Sequence, residues 1–209
     1  MRLRSLLGAL AACLLATATA KADVIIGNGP DNYTSGGTSF GAGVLKGIGF
    51  TMTSTIYAGS ARLSLFTNAA NASPTVYLMS DANGNPGTVL ATFQSLTLTS
   101  GPPQTYLFTL PTAYQLVSGT TYWLAAAGNS NQALFAWLGD DTPTGSFATY
   151  VGARLSFNSG ASYSVSGVAN SFELLSAPNP SALPEPSVAI TLSAVGLLVL
   201  IRSRRRISA

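Results

Sequence analysis

Ile48-Gly49-Phe50-Thr51-Met52-Thr53 places a large apolar side chain on every second residue, with glycine or threonine between them. A strand turns successive side chains to opposite faces, so this stretch buries one face and leaves the other open. The same period of two returns along the chain. Leu63 and Leu65 alternate with Arg62 and Ser64; Tyr106, Phe108 and Leu110 share a face, as do Leu155 with Phe157, Tyr163 with Val165, and Phe172 with Leu174. Residues 121–127 (TYWLAAA) and 133–138 (ALFAWL) are nearly unbroken apolar runs and predict central strands covered on both sides.

Turn residues divide these runs: Asn83-Gly84-Asn85-Pro86-Gly87, Gly101-Pro102-Pro103, Ser118-Gly119, Gly128-Asn129 and Ser159-Gly160. No window in the body shows sustained helical spacing. About ten short strands with frequent turns predict an all-β body over residues 23–177, a β-sandwich of jelly-roll type. The turns leave the pairing order of the strands open.

The net charge of +3 over 209 residues describes the two ends more than the middle. Arg2 and Arg4 precede the first apolar run, and Arg202, Arg204, Arg205 and Arg206 follow the last. Between residues 23 and 183, Lys46, Arg62 and Arg154 stand against Asp23, Asp31, Asp81, Asp140, Asp141 and Glu173, a net of −3. Three scattered cations cannot form the basic face that neutralises phosphates, so nucleic-acid binding is excluded. Only 8% of the residues are charged, against about a quarter in an ordinary globular domain, a bias expected of an exported β-rich protein. The single cysteine, Cys13, lies in the leader, so the body has no disulfide and depends on its core.

Residues 1–22 have the form of a signal peptide. Arg2 and Arg4 give the positive start, residues 6–16 (LLGALAACLLA) the apolar run, and Ala20-Lys21-Ala22 a small-residue cleavage site before Asp23. Two alternatives stay open: cleavage after Ala18-Thr19-Ala20, and lipidation of Cys13 in Leu10-Ala11-Ala12-Cys13. Signal peptidase is the implied processing partner.

The other end carries a different address. After a linker at residues 178–183, Pro184-Glu185-Pro186 leads into the apolar run 188–201 (VAITLSAVGLLVLI), and Arg202, Arg204, Arg205 and Arg206 follow. A helix of fourteen residues rises about 21 Å, short for a bilayer core of about 30 Å, though flanking residues and tilt extend it. The run is apolar nearly all round, which argues for a single transmembrane helix at about residues 187–201 and against a buried amphipathic one. The arginine cluster marks the cytoplasmic side and sets the β body outside. An ordinary single-pass anchor would read the same way.

Residues 184–206 resemble the PEP-CTERM sorting signal of Gram-negative bacteria, with the three elements in order. The resemblance implies recognition by an exosortase in the membrane, cutting near the motif, and a cell-surface or matrix destination, often in bacteria that make exopolysaccharide. Residues 75–93, residues 116–125 and the Trp137 segment with Asp140 and Asp141 resemble the choice-of-anchor R type of domain, which travels with interchangeable anchoring tails. That family implies no established activity.

No histidine occurs anywhere and no cysteine follows Cys13, which excludes Ser-His-Asp, Cys-His and histidine-ligated metal chemistry. A carboxylate pair for glycoside cleavage is the enzymatic alternative, with Asp140, Asp141 and Glu173 as its members, and the body is expected to be non-catalytic. Asp81, Asn83 and Asn85 have the alternate oxygen spacing of a calcium loop. Pro86 and Thr92 stand where such a loop wants glycine and glutamate, so a hairpin turn is expected instead. Asp140, Asp141 and Thr142 are a second candidate for calcium. Trp137 with Asp140 and Asp141 in a loop, supported by Asn129 and Asn131, is the candidate for stacking and hydrogen-bonding an extracellular polysaccharide. Tyr57, Tyr122 and Tyr150 lie near strand ends, and Trp123 is assigned to the core. An adhesive or structural module that contacts another protein is the alternative function.

Overall fold

In the computed structural model, the alternating segments form two antiparallel sheets. The structure describes residues 22–30, 36–69, 72–128 and 135–178. The leader through Lys21, Asn129 and Asn131, and everything from residue 179 on, including the Pro-Glu-Pro segment, the apolar run and its arginines, lie outside them. Ala22–Asn179 form one unit.

Among the described residues, thirteen strands occur in the order β1 (Val24–Gly27), β2 (Gly37–Phe40), β3 (Leu45–Met52), β4 (Ile56–Thr67), β5 (Thr75–Asp81), β6 (Pro86–Thr92), β7 (Gly101–Leu116), β8 (Thr121–Ala127), β9 (Phe135–Asp140), β10 (Ala148–Ser156), β11 (Ser164–Ser166), β12 (Ala169–Asn170) and β13 (Phe172–Ser176). The first sheet runs β1-β13-β4-β9-β12, with β2 also paired to β9 and β7 to β4. The second runs β11-β10-β3-β8-β5-β6.

The shared core follows from the alternation. Ile48, Phe50 and Met52 of β3 face Ala61, Leu63 and Leu65 of β4, Phe108 of β7 and Phe172 and Leu174 of β13 within one buried cluster. Phe40 and Phe135, paired across β2 and β9, stack with centroids 4.5 Å apart. As expected, the 121–127 run is a central strand, β8, lying between β3 and β5 and buried from Tyr122 to Ala126. Residues 135–140 depart from expectation. Phe135, Trp137 and Gly139 turn inward while Ala136 and Leu138 are only half-buried, so β9 alternates. Phe157 falls beyond the end of β10 and is 71% exposed, so it does not share a buried face with Leu155.

The two ends of the body are tied together. The Asp23 amide donates to Ser176 Oγ at 2.8 Å, and the Ser176 amide donates to the Asp23 carbonyl at 2.9 Å. Between them, β1 pairs antiparallel with β13, which also pairs with β4 on its other side.

Candidate functional site

Trp137 does not form a surface site. Its side chain is fully buried, its Nε1 donates to the Ser171 carbonyl at 2.9 Å, and its ring meets Phe172 edge-on at 6.4 Å. An indole enclosed on all sides has no face left for a sugar, which corrects the expectation for this residue. Asp140 is no loop residue either: it ends β9 and pairs with Ala169. Its Oδ1 accepts the Asp141 amide at 2.8 Å, and its Oδ2 is buried without a partner. Asp141 is the first residue beyond the strand and is exposed.

Trp123 is buried, but in a second cluster on the outer face of its sheet, with Leu45, Met79 and Ala125. The ring can approach β3 closely because the residues it meets there are Gly47 and Gly49; a Cβ on Gly49 would stand 2.8 Å from the ring. Arg154 covers the ring from β10, its guanidinium carbon 5.7 Å from the centroid.

The β5–β6 turn closes the same cover. Asp81 accepts from Trp123 Nε1 at 2.8 Å through Oδ1 and from the Gly84 amide at 3.0 Å through Oδ2. Asn85 Oδ1 accepts from Arg154 Nε at 3.1 Å. Ala82 and Asn85 exchange backbone bonds, and Asn83 and Gly84 between them have φ of 54° and 77°, a two-residue hairpin of the Asn-Gly kind. The alternate spacing of Asp81, Asn83 and Asn85 thus belongs to a turn, with both Asp81 oxygens engaged by the protein. Among the described residues, no group of three or more Asp or Glu side chains is gathered to hold a metal.

The structure does bring Asp141 to a cleft. An open depression of ≈ 560 Å³ runs along β1 and is lined by Asn28, Asp141, Thr142, Thr144, Ser146 and Glu173 among others. Glu173 comes from β13, paired with Arg62 across the β4–β13 ladder and bonded to its Nη1 at 3.1 Å. Asp141 makes no ion pair among the described residues. The wall is fixed by Asn28, whose Nδ2 donates to the Asp141 and Asn170 carbonyls at 2.7 and 3.2 Å and whose Oδ1 accepts the Phe172 amide at 2.9 Å. Thr144 and Gly27 exchange backbone bonds of 2.8 Å, closing the free edge of β1. Hydroxyls, backbone and an unpaired carboxylate at an open surface can hydrogen-bond a hydroxylated polymer along its length.

Asn28 gave no local signal in the sequence, because its partners lie more than a hundred residues away. Lys46 did give one. It shares the inward face of β3 with Ile48, Phe50 and Met52, and it is fully buried. Its Nζ donates to Ser166 Oγ and to the Val168 carbonyl, the latter at 2.8 Å. No carboxylate pairs with it among the described residues, and burial lowers its pKa to about 8. Tyr57 is half-buried and Tyr122 is buried, its hydroxyl accepting the Val117 amide at 3.1 Å. Burial raises the pKa of half-buried Tyr150. Compared with known proteins, the chain matches no family model and no curated relative.

Proposed function

We propose that this chain is an exported, non-catalytic surface or matrix protein. Its tail at residues 184–206 is an exosortase address, and its body contacts extracellular polysaccharide through the Asp141 cleft. The observation that carries the reading is the closure of the body on itself. Asp23 and Ser176 bond each other just inside the two expected processing points, Ala22 and Pro184-Glu185-Pro186. Both addresses can therefore be removed without breaking a bond described here. The body reads as a jelly-roll-like sandwich, since β3 to β5 and β6 to β10 step alternately between the two sheets.

The test is the intact mass of the protein recovered from its native host, compared between envelope and medium. A product starting at Asp23 and ending near Pro184 to Pro186 supports sorting and processing. Retention of residues 188–209 in every fraction identifies a permanent single-pass anchor and sinks the exosortase reading. For the cleft, pull-down with the host's own polysaccharide should weaken in Asp141→Asn. Equal retention of variant and wild type would remove the cleft from the proposal.

A further inference from the structure

We propose that Asn83 is a site of self-modification: it loses its carboxamide nitrogen to attack by the Gly84 amide when the β5–β6 turn opens, and Asp81 is the latch on that turn. The sequence holds two Asn-Gly pairs, Asn28-Gly29 and Asn83-Gly84, and the structure treats them oppositely. The chemistry needs no enzyme and no partner, so it stands apart from the function proposed above.

The step is an intramolecular displacement. The Gly84 nitrogen gives up its proton and bonds to Asn83 Cγ; the Cγ–Nδ2 bond breaks, and Nδ2 leaves as ammonia with that proton. Water then opens the resulting cyclic imide at one carbonyl or the other, giving aspartate or isoaspartate, and nothing is oxidised or reduced. Glycine favours the attack because it has no side chain to crowd its own nitrogen. Among the described residues, and apart from its chain neighbours, only Arg154 Nη2 comes within 4 Å of where a Cβ on Gly84 would stand, at 3.8 Å.

The side chain of Asn83 is available and that of Asn28 is not. Asn83 is exposed, and the Asn85 Nδ2 bond that reaches it, at 3.5 Å, goes to its main-chain carbonyl. Asn28 donates through Nδ2 to the Asp141 and Asn170 carbonyls and accepts the Phe172 amide through Oδ1, so turning its Cγ toward Gly29 breaks three bonds at once. Asn85 precedes Pro86, whose nitrogen carries no proton to lose. Asn158 is held by Ser156 and Ser162, and Asn170 is fully buried.

The folded turn holds the reaction back. The Gly84 amide donates to Asp81 Oδ2 at 3.0 Å, which engages the very proton that has to leave. Ala82 and Asn85 exchange backbone bonds of 2.8 and 3.3 Å around the two central residues. Attack therefore waits on local opening, and the open fraction multiplies the rate. The product does not refit: isoaspartate routes the main chain through Cβ and lengthens a turn of two residues, and either product sets a new carboxylate near Asp81. Because the same turn covers Trp123 through Asp81, and holds Arg154 through Asn85, conversion loosens that cover.

The test holds the full-length chain in detergent at mildly alkaline pH and follows each asparagine over time by peptide mass mapping. Asn83 should convert to a mixture of aspartate and isoaspartate while Asn28 stays intact. Asp81→Ala should speed conversion at Asn83 by about tenfold, the factor that a loss of about 1.4 kcal/mol in the hold on the turn gives, and should leave Asn28 intact. An Asn83 that stays intact in wild type, an Asn28 that converts as fast, or an Asp81→Ala variant in which Asn83 converts no faster would each overturn the proposal.

Discussion

Trp123 Nε1 and Asp81 Oδ1 meet at 2.8 Å across 42 residues of sequence, and that bond fastens the β5–β6 turn over the ring. Asp81→Ala removes it together with the bond to the Gly84 amide. A cost of about 1–3 kcal/mol is expected in urea unfolding, with a red shift in tryptophan emission as water reaches the ring. Since the turn holds itself through Trp123 and Arg154, calcium or a chelator should leave the melting temperature of the wild type unchanged. A rise of several degrees with calcium would restore the metal reading of Asp81, Asn83 and Asn85.

Trp137→Ala should behave as a core truncation and not as a binding-site change. The side chain is fully buried against Phe172, so a loss of about 3–5 kcal/mol is expected. Asp141→Asn, at an exposed position, should alter stability by less than about 0.5 kcal/mol. Chemical denaturation of the two variants side by side checks the contrast, and equal stability would return Trp137 to the surface.

Lys46 gives the molecule a specific response to alkali. Its folded pKa, about 8, lies below the ordinary 10.5. Below pH 8 both folded and unfolded states hold the proton, and the cost of burying the charge is fully present. Between about pH 8 and 10.5 the unfolded state binds more protons than the folded one, so stability rises with pH through that window. A gain on the order of 2 kcal/mol is expected from this group. Lys46→Met should flatten that rise while filling the same space, as read from denaturant midpoints at pH 7 and pH 10.

Asn28→Ala should cost more than its position near a loop suggests. It strips partners from the Asp141 and Asn170 carbonyls and the Phe172 amide at once, and a loss of about 2–4 kcal/mol follows. Arg62→Ala, by contrast, breaks an ion pair whose arginine side chain is 48% exposed, and should cost less than about 1 kcal/mol. Thermal melts of both variants test the ordering.

The all-β character was legible because alternation is a local property: Ile48, Phe50 and Met52 declare their face without help from other strands. The tryptophans show where that ends. Both lie in apolar runs, and the runs do not say which side of a sheet meets the core. Trp137 occupies an inward register set by its pairing with Leu65, whereas Trp123 occupies an outward one, hidden only because a distant turn folds over it. The Asn83-Gly84 turn was readable from two residues. The cleft was not, since Asn28, Asp141 and Glu173 come from three separate segments that only the β1-β13-β4-β9 order of the first sheet brings together. Lys46 was readable in principle, as a cation at an inward position of an alternating strand.

The placing of β13 has a mechanical consequence. A pull entering the body through residue 178 acts along β13, which lies between β1 and β4 and runs antiparallel to both. The load is therefore shared by two ladders in shear, and their hydrogen bonds must yield together instead of peeling one after another. A body hung by that strand resists drag as a riveted lap joint does, and the neighbouring β1, bonded to it at the same end, stiffens the grip.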